Sequence, residues 1–98
     1  MSTDDSEFTH LRLRIQGRVQ GIGYRDHVIA EATRLGVDGW VRNRADGTVE
    51  ALVSGPDKAV QLLVGMCIKG SSGAIVQDIE MHKAEAPAEK GFHRRPSL

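Results

Sequence analysis

Ninety-eight residues, 40% hydrophobic and 27% charged, describe one small globular domain without room for a second core. Thirteen Lys and Arg balance thirteen Asp and Glu, which argues against a nonspecific nucleic-acid binder or a membrane-surface protein, since both need a basic excess. The single cysteine, Cys67, excludes an internal disulfide framework and a Cys-based zinc site.

The chain opens with Asp4, Asp5 and Glu7 and no cation, so residues 1–8 read as a disordered acidic tail. A secretory signal would need an apolar segment there. No apolar run has the length of a membrane span, and a cytoplasmic protein is expected. Residues 8–98 keep thirteen basic against ten acidic side chains, a net +3. That mild excess suits a small anionic ligand better than a polymer.

From His10 to Gln16, Leu11, Leu13 and Ile15 alternate with Arg12, Arg14 and Gln16, the period of a strand with one buried face. The glycine-rich stretch Gly17–Gly23 follows. From Tyr24 the period becomes helical, with Tyr24, Val28, Ala32 and Leu35 on one stripe and Gly36 at the C-terminal stop. Trp40–Asn43 and Thr48–Ser54 read as a strand pair joined by the turn residues Asp46-Gly47. Gly55-Pro56-Asp57 opens a second helix, with Pro56 placed in its first turn. Val60, Leu63, Val64 and Cys67 form its apolar face, and Gly65 inside it has no reason visible in the sequence. Ile75–Lys83 is a further strand, and Phe92–Arg95 reads as a short edge strand.

The order β-α-β-β-α-β belongs to the ferredoxin-like α+β sandwich, with two helices on one face of an antiparallel four- to five-stranded sheet. The domain is placed at residues 9–95, with 96–98 as a tail. Strands one and two run parallel with strand three between them. Their C-terminal ends therefore share one sheet edge, roughly 9–10 Å apart. That places the glycine-rich loop near Asn43.

Consecutive N–H groups at a strand-to-helix loop can converge on an anion, aided by the helix dipole. Arg25, in the first helical turn, is suited to clamp that anion bidentately. Taken singly, the loop equally fits a tight turn with a solvated arginine, and Asn43 a turn residue satisfying local backbone groups. The loop matches neither the dinucleotide fingerprint nor the P-loop spacing. The combination is more specific. Gly17-Arg18-Val19-Gln20-Gly21-Ile22-Gly23-Tyr24-Arg25, then Leu35-Gly36-Val37-Asp38-Gly39-Trp40-Val41-Arg42-Asn43, then Asp46-Gly47-Thr48-Val49-Glu50, closely resembles the acylphosphatase family.

The resemblance implies hydrolysis of the carboxyl-phosphate bond of small acyl phosphates, without metal or cofactor. It implies a phosphate-binding loop of Gln20, Gly21, Ile22, Gly23 and Tyr24, a phosphate-binding Arg25 and a water-orienting Asn43. Inorganic phosphate would be product and competitive inhibitor, and the enzyme a monomer with no nucleic-acid or membrane partner. Three departures stand out: Tyr24 where phenylalanine is usual, Arg94 where the family closes on an apolar residue, and Gly70-Ser71-Ser72-Gly73 where a Gly-Pro-type turn is common. The second bears on the last strand and is expected to touch none of the chemical residues. A non-catalytic phosphate-binding module is the alternative, disfavoured because binding alone needs no water-positioning amide. RNA binding on the open sheet needs a pair of aromatics there, and Trp40 is the only aromatic in the first four expected strands.

Overall fold

Alternation in the first strand sends Leu13 and Ile15 fully into the core and leaves Arg12 and Arg14 on the opposite face. The computed structural model describes residues 7–98. Residues 1–6, most of the expected acidic tail, lie outside them, and Phe8 already belongs to the first strand. The elements are β1 (Phe8–Arg18), α1 (Tyr24–Leu35), β2 (Asp38–Asn43), β3 (Val49–Pro56), α2 (Asp57–Lys69), β4 (Ile75–Lys83) and β5 (Phe92–Arg94). The sheet order is β4-β1-β3-β2-β5. Central β3 pairs antiparallel with both β1 and β2, so those two are parallel to each other.

The helices pack against the face that carries Leu13, Ile15, Val41, Val49, Ala51 and Val53. Val28, Ala32, Val60, Leu63 and Cys67 meet that face and are buried with it. Each buried valine, leucine or isoleucine among them contributes about 1.5–3 kcal/mol relative to exposure. Gly36 closes α1 with φ 73°, while the Val37 N–H donates to the Ala32 carbonyl at 2.9 Å.

Two expectations need correction. The sheet is mixed rather than purely antiparallel, because β5 runs parallel to β2 with Val41 opposite Arg94. Its neighbour in sequence, β4, lies on the far edge. The connection crosses the domain instead of turning back as a hairpin, so β5 arrives in the direction of β2. Pro56, expected in the first turn of α2, instead ends β3 in an extended conformation (φ −56°, ψ 144°), and the helix starts at Asp57. Lacking an N–H costs Pro56 nothing at that junction.

Gly65 lies exposed within α2, and a methyl group added to it would meet no atom within 4 Å. The glycine penalty is therefore uncompensated. Gly65→Ala should raise stability by about 1 kcal/mol, read as an upward shift of the urea midpoint at constant m-value.

Candidate active site

The loop after β1 is fixed by side chains that are buried or hydrogen-bonded to other parts of the chain. Val19 is buried in the core. The Gln20 amide donates to the Arg44 carbonyl at 2.9 Å and to the Thr48 carbonyl at 2.8 Å, tying the loop to the β2–β3 hairpin. Tyr24 is buried, and its hydroxyl donates to the Cys67 carbonyl at 2.7 Å. That carbonyl lies in the last turn of α2, where helical carbonyls lack intrahelical partners. The tyrosine hydroxyl is thereby satisfied inside the core.

With the side chains committed, the backbone is left over. None of the N–H groups of residues 20–23 bonds to a backbone carbonyl among the described residues. Gly23 caps α1 with φ 78° and makes no side-chain cap, and the first internal bond runs from the His27 N–H to the Gly23 carbonyl at 3.0 Å. The leading N–H groups of α1 thus remain without helical partners. Gly21 and Gly23 both have positive φ, and a Cβ at either would point into open space. Glycine permits the loop's curvature there while keeping side chains off the donors.

The resulting cavity, of about 100 Å³, is lined by Val19, Gly21, Gly23, Tyr24, Arg25, Asp26 and Arg94. A cleft of that size admits a small group such as a phosphate. Of the expected site residues, Gly21, Gly23, Tyr24 and Arg25 line it, whereas Gln20, Ile22 and Asn43 do not. Gln20 acts through its grip on the hairpin, and Ile22 packs against the core.

Asn43 ends β2, and Val41, two residues before it, is buried beneath the helices. Its Oδ1 is buried and accepts from no donor among the described residues, and its carbonyl accepts from the Leu98 N–H at 3.0 Å. Leu98 also receives the Ala45 N–H at 2.7 Å, so residues that read as a tail run alongside the hairpin. On either side of Asn43, Arg42 and Arg44 donate to Glu50 Oε1 at 2.8 Å and 2.9 Å. Glu50 is only 8% exposed. Burial alone would raise its pKa, but the hydrogen bonds and charges of Arg42 and Arg44 outweigh that and hold it below the ordinary glutamate value.

Cys67 is fully buried, and its thiol is pushed up to about 12 by burial. Burial likewise raises the Tyr24 hydroxyl far above the normal tyrosine value, with the neighbouring Cys67 adding to the shift. Neither is a nucleophile or base at neutral pH. Among the described residues no three His, Cys, Asp or Glu side chains cluster as metal ligands. A larger cavity, about 250 Å³, opens on the other face among Arg12, Arg14, Arg44, Glu50, Glu80 and His82. There Arg44 is held by Glu50 and Arg14 by Asp46.

A family model described as acylphosphatase matches residues 11–94. The chain belongs to the acylphosphatase family. An acylphosphatase of Rhodospirillum rubrum is 48% identical over 88 residues, covering 90% of this chain and 97% of that one. One from Acidiphilium cryptum is 53% identical over 83 residues, covering 85% and 91%. The crystal structure of acylphosphatase from Bacillus subtilis superposes with a TM-score of 0.84 at 36% identity, covering 91% of this chain and 99% of the other. The protein is accordingly a hydrolase of acyl phosphates, on the ferredoxin-like fold that the element order predicts.

Sequence reasoning missed Arg94 and Asp26 at this cavity. Arg94, expected to touch none of the chemical residues, lines it and pairs with Asp26. The available signal was an arginine two residues after the buried Phe92, at an inward strand position that favours an apolar side chain. Glu50, also missed, is testable through its pairing. Glu50→Gln should cost about 1–2 kcal/mol at neutral pH by weakening two bonds to guanidinium groups. A carboxylate with a lowered folded pKa stabilises above its unfolded value and loses that contribution as pH falls through the folded one. Denaturation series should therefore show the gap between variant and parent closing below the ordinary carboxylate range.

Proposed function

We propose that the backbone of Gln20, Gly21, Ile22, Gly23 and Tyr24, together with Arg25, binds the phosphate of the acyl phosphate, and that Asn43 orients the attacking water. The support for phosphate binding is the cavity of about 100 Å³ where Arg25 meets the partnerless start of α1. Backbone donors, helix dipole and guanidinium all favour one small anion there. The support for Asn43 is its buried Oδ1, an acceptor with no protein donor among the described residues. A water donating one O–H to that atom has its lone pair free to attack phosphorus.

In this reading water oxygen forms a bond to phosphorus as the bond from phosphorus to the acyl oxygen breaks. The electron pair leaves on the carboxylate, and the water proton passes to a phosphate oxygen. Carboxylic acids have pKa values near ~4, so the leaving group needs no general acid and little metal assistance. The protein supplies position and neutralises the equatorial oxygens. The enzyme works without metal or cofactor as a cytoplasmic monomer, on small acyl phosphates, with no nucleic-acid or membrane partner. Among the described residues no helix is long and apolar enough to cross a membrane.

Arg25→Gln should lower kcat/KM on acetyl or benzoyl phosphate by ~10²–10³ or more. It should also remove competitive inhibition by inorganic phosphate, with both assays run in excess chelator. Near-normal turnover in that variant would overturn the phosphate-site assignment.

Asn43→Ala separates chemistry from binding. It should reduce kcat by at least ~10² while the phosphate KI stays nearly constant, the pattern of a nucleophile no longer held in line. Its folding is checked by denaturation, since Asn43 borders the hairpin. A folded variant with parental kcat would leave Asn43 a turn residue. A parent that binds phosphate but releases none from acyl phosphates would be a binding module.

A further inference from the structure

Asp26 is out of place in a site for a phosphate dianion. It follows Arg25 directly and lines the same cavity. Its side chain is 73% exposed, so water screens it in part, but left alone its carboxylate would still repel the ligand and oppose Arg25. Arg94 stands against it, with Nη2 donating to Asp26 Oδ1 across 68 residues of chain. It comes from the last residue of β5, at an inward position opposite buried Val41. The parallel pairing with β2 delivers it to the sheet edge where β1 and β2 end. Its side chain remains 42% exposed and lines the cavity, so this inward arginine is not simply an apolar position filled by a long aliphatic stem.

We propose that Arg94 is a positioning residue of the phosphate site: it masks the Asp26 carboxylate and keeps the cavity cationic enough to hold a phosphate. The proposal rests on the phosphate-site reading above. With the pair formed, Asp26 and Arg94 cancel, and the field at the cavity is set by Arg25 and the α1 N-terminus. Without Arg94, one unmasked negative charge faces two on the ligand. The pair also joins β5 to α1, so loss of Arg94 has a structural consequence as well. A structural latch and a charge mask differ in one respect: only the mask makes removal of Asp26 beneficial to anion binding.

The test is calorimetric binding of inorganic phosphate to the whole chain and to Arg94→Gln, Asp26→Asn and the double variant. Arg94→Gln should raise the phosphate Kd about five- to tenfold, less at high salt, as expected for exposed charges. Asp26→Asn should leave it equal or tighter, and the double variant should return to within about twofold of the parent. Three results overturn the proposal: an unchanged Kd in Arg94→Gln, no recovery in the double variant, or weaker binding in Asp26→Asn. The last variant keeps the question decidable if Arg94→Gln does not fold. A parent that binds no phosphate removes the site reading itself, whereas a binding parent with insensitive variants removes only the masking role.

Discussion

The insertion of β3 between β1 and β2 is the constraint from which the site follows. Both flanking strands pair antiparallel with it, so they run parallel to each other and end at the same edge of the sheet. The loop leaving β1 and the asparagine ending β2 are brought to one edge by backbone hydrogen bonding, and Gln20 then ties the loop to the hairpin. The right-handed connection then sets the N-terminus of α1 at that edge. β5, parallel to β2, adds the end of a third strand there. Donors, dipole and cations converge without any one of them having to seek the others.

An anion cradle made of backbone must keep its N–H groups free, and free N–H groups do not hold a loop in shape. The chain resolves this with side chains. Val19 anchors the loop in the core, Gln20 ties it to two hairpin carbonyls, and the Tyr24 hydroxyl reaches the Cys67 carbonyl. The N–H groups are thereby oriented by the fold itself, the condition that the phosphate site proposed here needs for electrostatic stabilisation without reorganisation. Tyrosine in place of phenylalanine at this position adds a hydrogen bond to the same packing. Its hydroxyl uses a carbonyl that the end of α2 leaves over.

Charge is handled differently on the two sides of the sheet. On the open face, Arg42 and Arg44 converge on buried Glu50, while Trp40 lies between Arg42 and Arg95, 4.8 Å and 5.1 Å from their guanidinium carbons. Those contacts stiffen the hairpin on both sides of Asn43. On the helix side, Asp26 and Arg94 form a more exposed pair beside the cavity. The first arrangement holds a backbone in place. The second stands beside the cavity proposed for the phosphate.

Much of this was legible in the chain. Alternation in β1, the helical stripe from Tyr24 to Leu35 and the Asp46-Gly47 turn gave the element order, because period and turn chemistry are local properties. The combined spacing of the loop, Arg25 and Asn43 gave the family, and the site proposed here follows from the same residues. Strand ends were read two residues short at β1 and β2, since hydrogen-bonded partners extend a strand past its amphipathic segment. Other features were decided only in three dimensions. The direction of β5 depends on which edge it reaches after crossing the domain. The work of Gln20 depends on carbonyls 24 and 28 residues away, and the pairing of Asp26 with Arg94 spans 68. Local sequence sets which conformations a segment prefers. Which distant groups then meet is settled by the register of the sheet, and no single segment carries that information.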